Sequence, residues 1–100
     1  MADLIEERRL RDWLDGPGEG AWSVVDGGLE RTWRLEDFAA ALRFVDAVGG
    51  LAEAQGHHPD IHLVDYREVR LRLVTHSAGG ITEQDLELAE RIGELQQARP

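Results

Sequence analysis

The sequence predicts a two-layer α+β fold: a four-stranded antiparallel sheet with three helices packed on one face. Three observations carry that expectation. Segments of helical period and of strand period succeed one another as helix, two strands, helix, two strands, helix. The strands come as two neighbouring pairs with short connections, which return the chain antiparallel. The helical segments are apolar along one side, and such stripes are buried by laying them on one face of a sheet.

Taken in order, Asp3 to Leu14 reads as a charge-rich first helix anchored by Leu10, Trp13 and Leu14. The run DGPGEG at 15–20 then breaks the chain. Trp22–Asp26 and Leu29–Leu35 read as strands joined at Gly27-Gly28, a dipeptide that tolerates the positive φ of a tight hairpin. Leu29, Arg31, Trp33 and Leu35 share one face of the second strand. Glu36 and Asp37 put negative charge at the positive end of the next helix. Phe38, Ala41, Leu42, Val45, Val48 and Ala52 form its core-facing stripe. Gly49-Gly50 lies inside that helix and costs about 1 kcal/mol per Gly relative to Ala. Pro59 is expected to end it, because the residue before a proline is pushed out of the α region.

Asp60 to Tyr66 and Glu68 to His76 form the second strand pair. In the latter, Val69, Leu71 and Leu73 alternate with Arg70 and Arg72, the period of a half-buried strand. SAGG (77–80) is a loop, and Thr82-Glu83-Gln84-Asp85 has the form of an N-cap. The last helix is expected to run to about Gln97, with Leu86, Leu88, Ala89, Ile92 and Leu95 on its apolar side.

A chain of 100 residues with 42% hydrophobic residues suits one domain, residues 1–100, with a core that needs neither disulfides nor metal. All 11 basic residues are Arg and there is no Cys, which excludes thiolate nucleophiles, Schiff bases and lysine-based phosphate sites. A net charge of −9 disfavours nucleic acid and anionic lipid as general partners. No apolar run approaches the roughly 20 residues of a membrane span, and the N-terminal residues lack a signal-peptide core. The expected location is the cytoplasm.

All four histidines fall between positions 57 and 76, two of them within Gly56-His57-His58-Pro59-Asp60. With neither Cys nor Lys present, chemistry here must run on imidazole and carboxylate. Glu53 and His57 are four apart at a helix end, so they are expected on one face, the carboxylate fixing the imidazole tautomer. His58 would approach the same ligand from a second angle. His76 closes a strand ahead of a loop, the usual place for a functional side chain on a rigid element. Asp85 sits where helix N–H groups favour a carboxylate. Each has a plainer reading. A histidine near a helix end is commonly a surface or capping residue, Glu53–His57 an exposed ion pair, and Asp85 the third residue of a capping box. Trp22 and Trp33 read as core, and His62 as an ordinary strand residue. The histidines could also supply metal ligands, but neighbouring ones diverge and no H-x-x-x-H occurs on a continuous helix; no metal site is expected.

Together these residues resemble the pterin-4a-carbinolamine dehydratases. The likeness spans Trp22 to Leu95 and rests on Glu53-x-x-x-His57-His58-Pro59-Asp60, Leu73-Val74-Thr75-His76, Ala78-Gly79-Gly80-Ile81-Thr82-Glu83-Gln84-Asp85 and the stretch Trp33 to Phe38. The resemblance implies the same α+β fold and dehydration of a 4a-hydroxytetrahydropterin to the quinonoid dihydropterin, without a cofactor. It places His57, His58 and His76 on catalytic positions, and Glu53, Pro59, Asp85 and Trp22 on active-site or supporting ones. It implies a homo-oligomer, dimer or tetramer. Between Pro59 and Thr75 the chain is one residue longer than the family's usual pattern, so a bulge is expected near His62 to Asp65. The alternative function is a non-catalytic binding, assembly or transcriptional co-regulator role on the same fold. A small metal-binding regulator is a third reading.

Overall fold

A computed structural model of the chain describes residues 3–95. Seven elements follow one another: α1 (Glu7–Asp15), β1 (Ser23–Val25), β2 (Gly28–Arg34), α2 (Phe38–Gln55), β3 (Asp60–Val64), β4 (Glu68–Leu73) and α3 (Glu83–Gly93). The four strands form one antiparallel sheet in the order β1-β2-β4-β3, with β1 and β3 at the edges. The two-layer α+β expectation holds.

Register explains which side chains enter the core. Leu29 lies opposite Leu73, Arg31 opposite Leu71, and Trp33 opposite Val69, while Ile61 and Leu63 pair with Leu71 and Val69 from the other side. These positions share the face covered by the helices, and Leu29, Trp33, Val69, Leu71 and Leu73 are fully buried there. Phe44 of α2 stands against Trp33 at a ring-centroid distance of 4.9 Å, and Trp22 meets Trp33 edge-on at 5.6 Å. Arg31 shares this face because its guanidinium lies 4.5 Å from the Trp33 ring centroid, a contact that suits a planar cation on an aromatic. Its burial pulls the guanidinium pKa below its ordinary value. The opposite face carries Glu30, Thr32, Arg34, Glu68, Arg70, Arg72 and His62.

Several boundaries differ from expectation, each for a local reason. The first helix starts at Glu7, not Asp3, because the preceding residues run extended and the Ile5 N–H donates to the Ile81 carbonyl at 2.8 Å. Its indole anchor is as expected: Trp13 is buried and donates to Glu90 of α3 at 2.7 Å. In α2 the buried residues are Ala40, Ala41, Phe44, Val48 and Ala52, whereas Phe38 and Leu42 are about half exposed. This helix is apolar around much of its circumference, so periodicity alone admits more than one buried arc. Asp37 caps it through a side-chain oxygen on the Ala40 N–H at 2.8 Å.

Gly56, not Pro59, stops α2. It takes φ 68°, a left-handed conformation that glycine adopts without the Cβ penalty, and the His57 N–H returns to the Ala52 carbonyl at 3.1 Å. The expected bulge near His62 is absent: register runs unbroken from Asp60 opposite Arg72 to Val64 opposite Glu68. The connection after Val64 is a tight turn in which Asp65 and Tyr66 both have positive φ. Strand β4 ends at Leu73, so His76 lies in a turn closed by a bridge between Thr75 and Gly80. The capping box of α3 forms as expected from Thr82 to Asp85. That helix ends at Gly93, and the residues expected to carry it to Gln97 lie partly outside those described.

Candidate active site

The left-handed turn at Gly56 decides the geometry of the site. Had the helix continued, His57 would sit above Glu53 on one face. Instead the chain turns sharply, and His57 points inward, 9% exposed, while His58 stays on the surface. The expected Glu53–His57 pair is therefore replaced by two others. His57 Nε2 meets Asp85 Oδ1 at 2.5 Å, and His58 Nε2 meets Glu53 Oε2 at 2.5 Å. Both carboxylates singled out from sequence do support a histidine, but the partners are exchanged.

The two pairs differ in environment. His58 and Glu53 are solvated, with side chains 64% and 76% exposed, so their mutual attraction is weakened by water. Asp85 has no exposed surface. Its Oδ2 accepts the Thr75 hydroxyl at 2.8 Å and the Thr82 N–H at 2.9 Å, and its Oδ1 faces His57. Three donors thus satisfy a carboxylate that water cannot reach, which burial of such a group requires. Because the carboxylate is an acceptor, His57 Nε2 carries the hydrogen between them. Asp85 is accordingly both a capping-box residue and a support for the imidazole; the two readings of its sequence position are one structure.

His57, His58 and His76 all line a single cavity of about 330 Å³, together with Gly56, Val74, Thr75, Ser77 and Gln84. That size is near the lower end for small-molecule sites, about 300–1,000 Å³. The cavity lies where the C-terminus of α2, the turn after β4 and the first turn of α3 converge. Gln55 ties two of these together by donating from Nε2 to the Gln84 carbonyl at 2.8 Å. Pro59 is half-buried directly after His58 and does not line the cavity. His62 pairs with Arg70 on the sheet face away from the helices.

Trp22 requires a correction. It lines a different cavity, of about 290 Å³, with Trp13, Pro17, Arg31 and the C-terminal half of α3. The chain does not bring it to the histidines; as the edge-on neighbour of Trp33 it is a core residue, which is the reading its residue type favoured. Thr75, Ser77 and Gln84 were not picked out as site residues, and Thr75 carried no signal beyond its place before His76. Among the described residues no group of three or more His, Cys, Asp or Glu side chains has a metal-holding arrangement.

The family model for pterin 4 alpha carbinolamine dehydratase matches residues 3–95. The chain belongs to this family. A candidate pterin-4-alpha-carbinolamine dehydratase of Chloroflexus aurantiacus is 53% identical over 74 residues, which are 74% of this chain and 78% of the relative. The mitochondrial pterin-4-alpha-carbinolamine dehydratase 2 of Arabidopsis thaliana is 47% identical over 68% of this chain and 36% of its own length. Among solved structures, a transcriptional coactivator/pterin dehydratase from Brucella melitensis superposes with a TM-score of 0.81 at 28% identity, covering 91% of this chain and 96% of the other. A pterin dehydratase-like RuBisCO assembly factor of the alpha-carboxysome shares the fold, with a TM-score of 0.60 at 23% identity over 74% of this chain and 87% of the other. The dehydratase family's name and the convergence of the histidines on one cavity point the same way.

Proposed function

We propose that this chain is a hydro-lyase that dehydrates a 4a-hydroxytetrahydropterin to the quinonoid dihydropterin by histidine general acid/base catalysis. The observation that carries the reading is the convergence of three imidazoles on one small cavity, two of them backed by carboxylates. The reaction asks for little more. The hydroxyl on C4a leaves as water once an imidazolium donates a proton to it. The lone pair of the adjacent ring nitrogen closes the C=N bond, and a second imidazole removes the N–H proton. Water is the only other product, and positioned acid/base groups contribute typically about 10²–10⁴-fold to such a step.

Within this scheme His57, held by a buried carboxylate, is the principal general acid. His58 reaches the ring from another side, and His76 is the opposite acid/base partner. Gln84 and Ser77 line the same cavity and offer polar contacts, and Glu53 and Pro59 hold His58 in place. The chain needs no cofactor, and a soluble pterin handled by a cysteine-free protein suits the cytoplasm. No helix among the described residues is long and apolar enough to cross a membrane.

The test is loss of the carbinolamine absorbance with and without the protein, in the presence of EDTA. Dehydration above the uncatalysed rate should survive chelation. His57→Ala and His76→Ala should each lower kcat/KM at least about tenfold, and His62→Ala less than about twofold. Activity lost on chelation and restored by zinc would replace this mechanism with a metal-dependent one. A second reading is favoured by one observation: the Brucella melitensis relative is also described as a transcriptional coactivator. On that reading the chain is a binding or assembly protein, and it would leave the uncatalysed rate unchanged.

A further inference from the structure

We propose that Thr75 is a positioning residue that holds Asp85 in register with His57 and so turns His57 Nδ1 into the cavity. Three sets of contacts lead there. First, the backbone of Thr75 is tightly held: its N–H donates to the Gly80 carbonyl at 2.8 Å, and its carbonyl accepts from Ala78 at 3.0 Å and Gly79 at 2.9 Å. Second, its hydroxyl lies 2.8 Å from Asp85 Oδ2 and 2.8 Å from Thr82 Oγ1. Asp85 accepts and cannot donate, so the Thr75 hydrogen goes to Asp85 and the Thr82 hydroxyl donates to Thr75. The resulting chain runs one way, from Thr82 through Thr75 to Asp85. Third, Asp85 Oδ1 takes the hydrogen of His57 Nε2.

The consequence falls on the other ring nitrogen. Nδ1 of His57 has no hydrogen-bond partner among the described residues, and the buried side-chain polar atoms without one are Trp33 Nε1 and Gln55 Oε1. His57 Nδ1 therefore reaches solvent, and the cavity His57 lines is the space to which it is assigned. Thr75 also immediately precedes His76. One residue thus fixes both walls: its backbone sets the turn that presents His76, and its hydroxyl sets the carboxylate that orients His57. Fixed orientation matters because misplacing a reacting group by about 1 Å can cost on the order of 10²-fold in rate.

The kinetic part of this inference rests on the dehydratase reading, whereas the orientation of His57 does not, so the test reads both. ¹⁵N-resolved NMR of the full chain, without substrate, should show His57 protonated at Nε2 with a slowly exchanging, far-downfield proton. Thr75→Val, which keeps the shape and removes the hydroxyl, should lose that protected proton. In the assay it should lower kcat at least about tenfold while KM changes less than about threefold. Thr75→Ser restores the hydroxyl and should return both signatures. Thr75→Ala is the companion variant should the valine form fail to fold, with the same loss expected. A wild-type His57 protonated at Nδ1 instead, or a protected Nε2 proton unchanged in both the Val and Ala variants, overturns the proposal. The NMR pattern as expected in a protein that does not dehydrate the carbinolamine would uphold the positioning and sink the functional reading alone.

Discussion

His57 and His58 are neighbours in sequence with opposite circumstances, and their carboxylate partners should respond unequally to mutation. Asp85 is buried and gathers three donors, so Asp85→Asn replaces an acceptor with a group that must turn a donor toward one of them. Leaving a buried polar group mispaired costs about 1–3 kcal/mol. The variant should lose that much stability in urea and at least about tenfold in kcat/KM, since His57 no longer has a single preferred orientation. Glu53→Gln touches an exposed pair, and exposed pairs contribute about 0–1 kcal/mol. Its kcat/KM should fall by less than about fivefold. The two variants assayed side by side decide the ranking; a Glu53→Gln defect larger than that of Asp85→Asn would show that the solvated pair governs the site.

At the scale of elements, α2 holds both a weakness and a necessity in its glycines. A Cβ at Gly49 or Gly50 would meet nothing within 4 Å, and neither has positive φ. Each glycine there costs only helix propensity, so Gly49→Ala and Gly50→Ala should each raise the unfolding free energy by about 0.5–1 kcal/mol. Gly56 also has open space, but its φ of 68° penalises any Cβ. Gly56→Ala should cost about 1–2 kcal/mol and, because that turn aims both His57 and His58, should cut activity as well. Urea midpoints of the three variants, read with their rates, check the contrast. A stabilised and fully active Gly56→Ala would mean that the turn does not set the site.

For the whole molecule, the strand order among the described residues leaves β1 and β3 at the edges of the sheet, and edge strands are ready templates for pairing with another chain. On α2, Phe38 and Leu42 lie one turn apart on the same side and stand 49% and 48% exposed. Both features are covered if copies of the chain associate about a two-fold axis. A homo-oligomer built from dimers is the expected outcome of light scattering at micromolar concentration. A monomeric mass there would count against it.

The order of elements, the strand face carrying Leu29, Arg31 and Trp33, the capping box of Thr82 and Asp85, and the grouping of His57, His58 and His76 were all legible in the sequence. The first three depend on spacings of a few residues, where period and capping chemistry act directly; the grouping of the histidines was what the family resemblance implied. The buried arc of α2 was not legible, because a helix apolar on several sides leaves the choice to the sheet it lies on. Nor was Trp22's separation from the histidines, since Trp22 shares a cavity with the C-terminal half of α3 instead. Above all, which carboxylate serves which histidine was decided in three dimensions. Residues 53 and 57 are close in the chain, yet the left-handed turn at Gly56 breaks the helical geometry that would join them. The partner His57 finds instead lies 28 residues away, delivered by the packing of α3 beside the turn after β4. Local spacing set the elements and their caps; the fold alone determined which histidine meets which carboxylate.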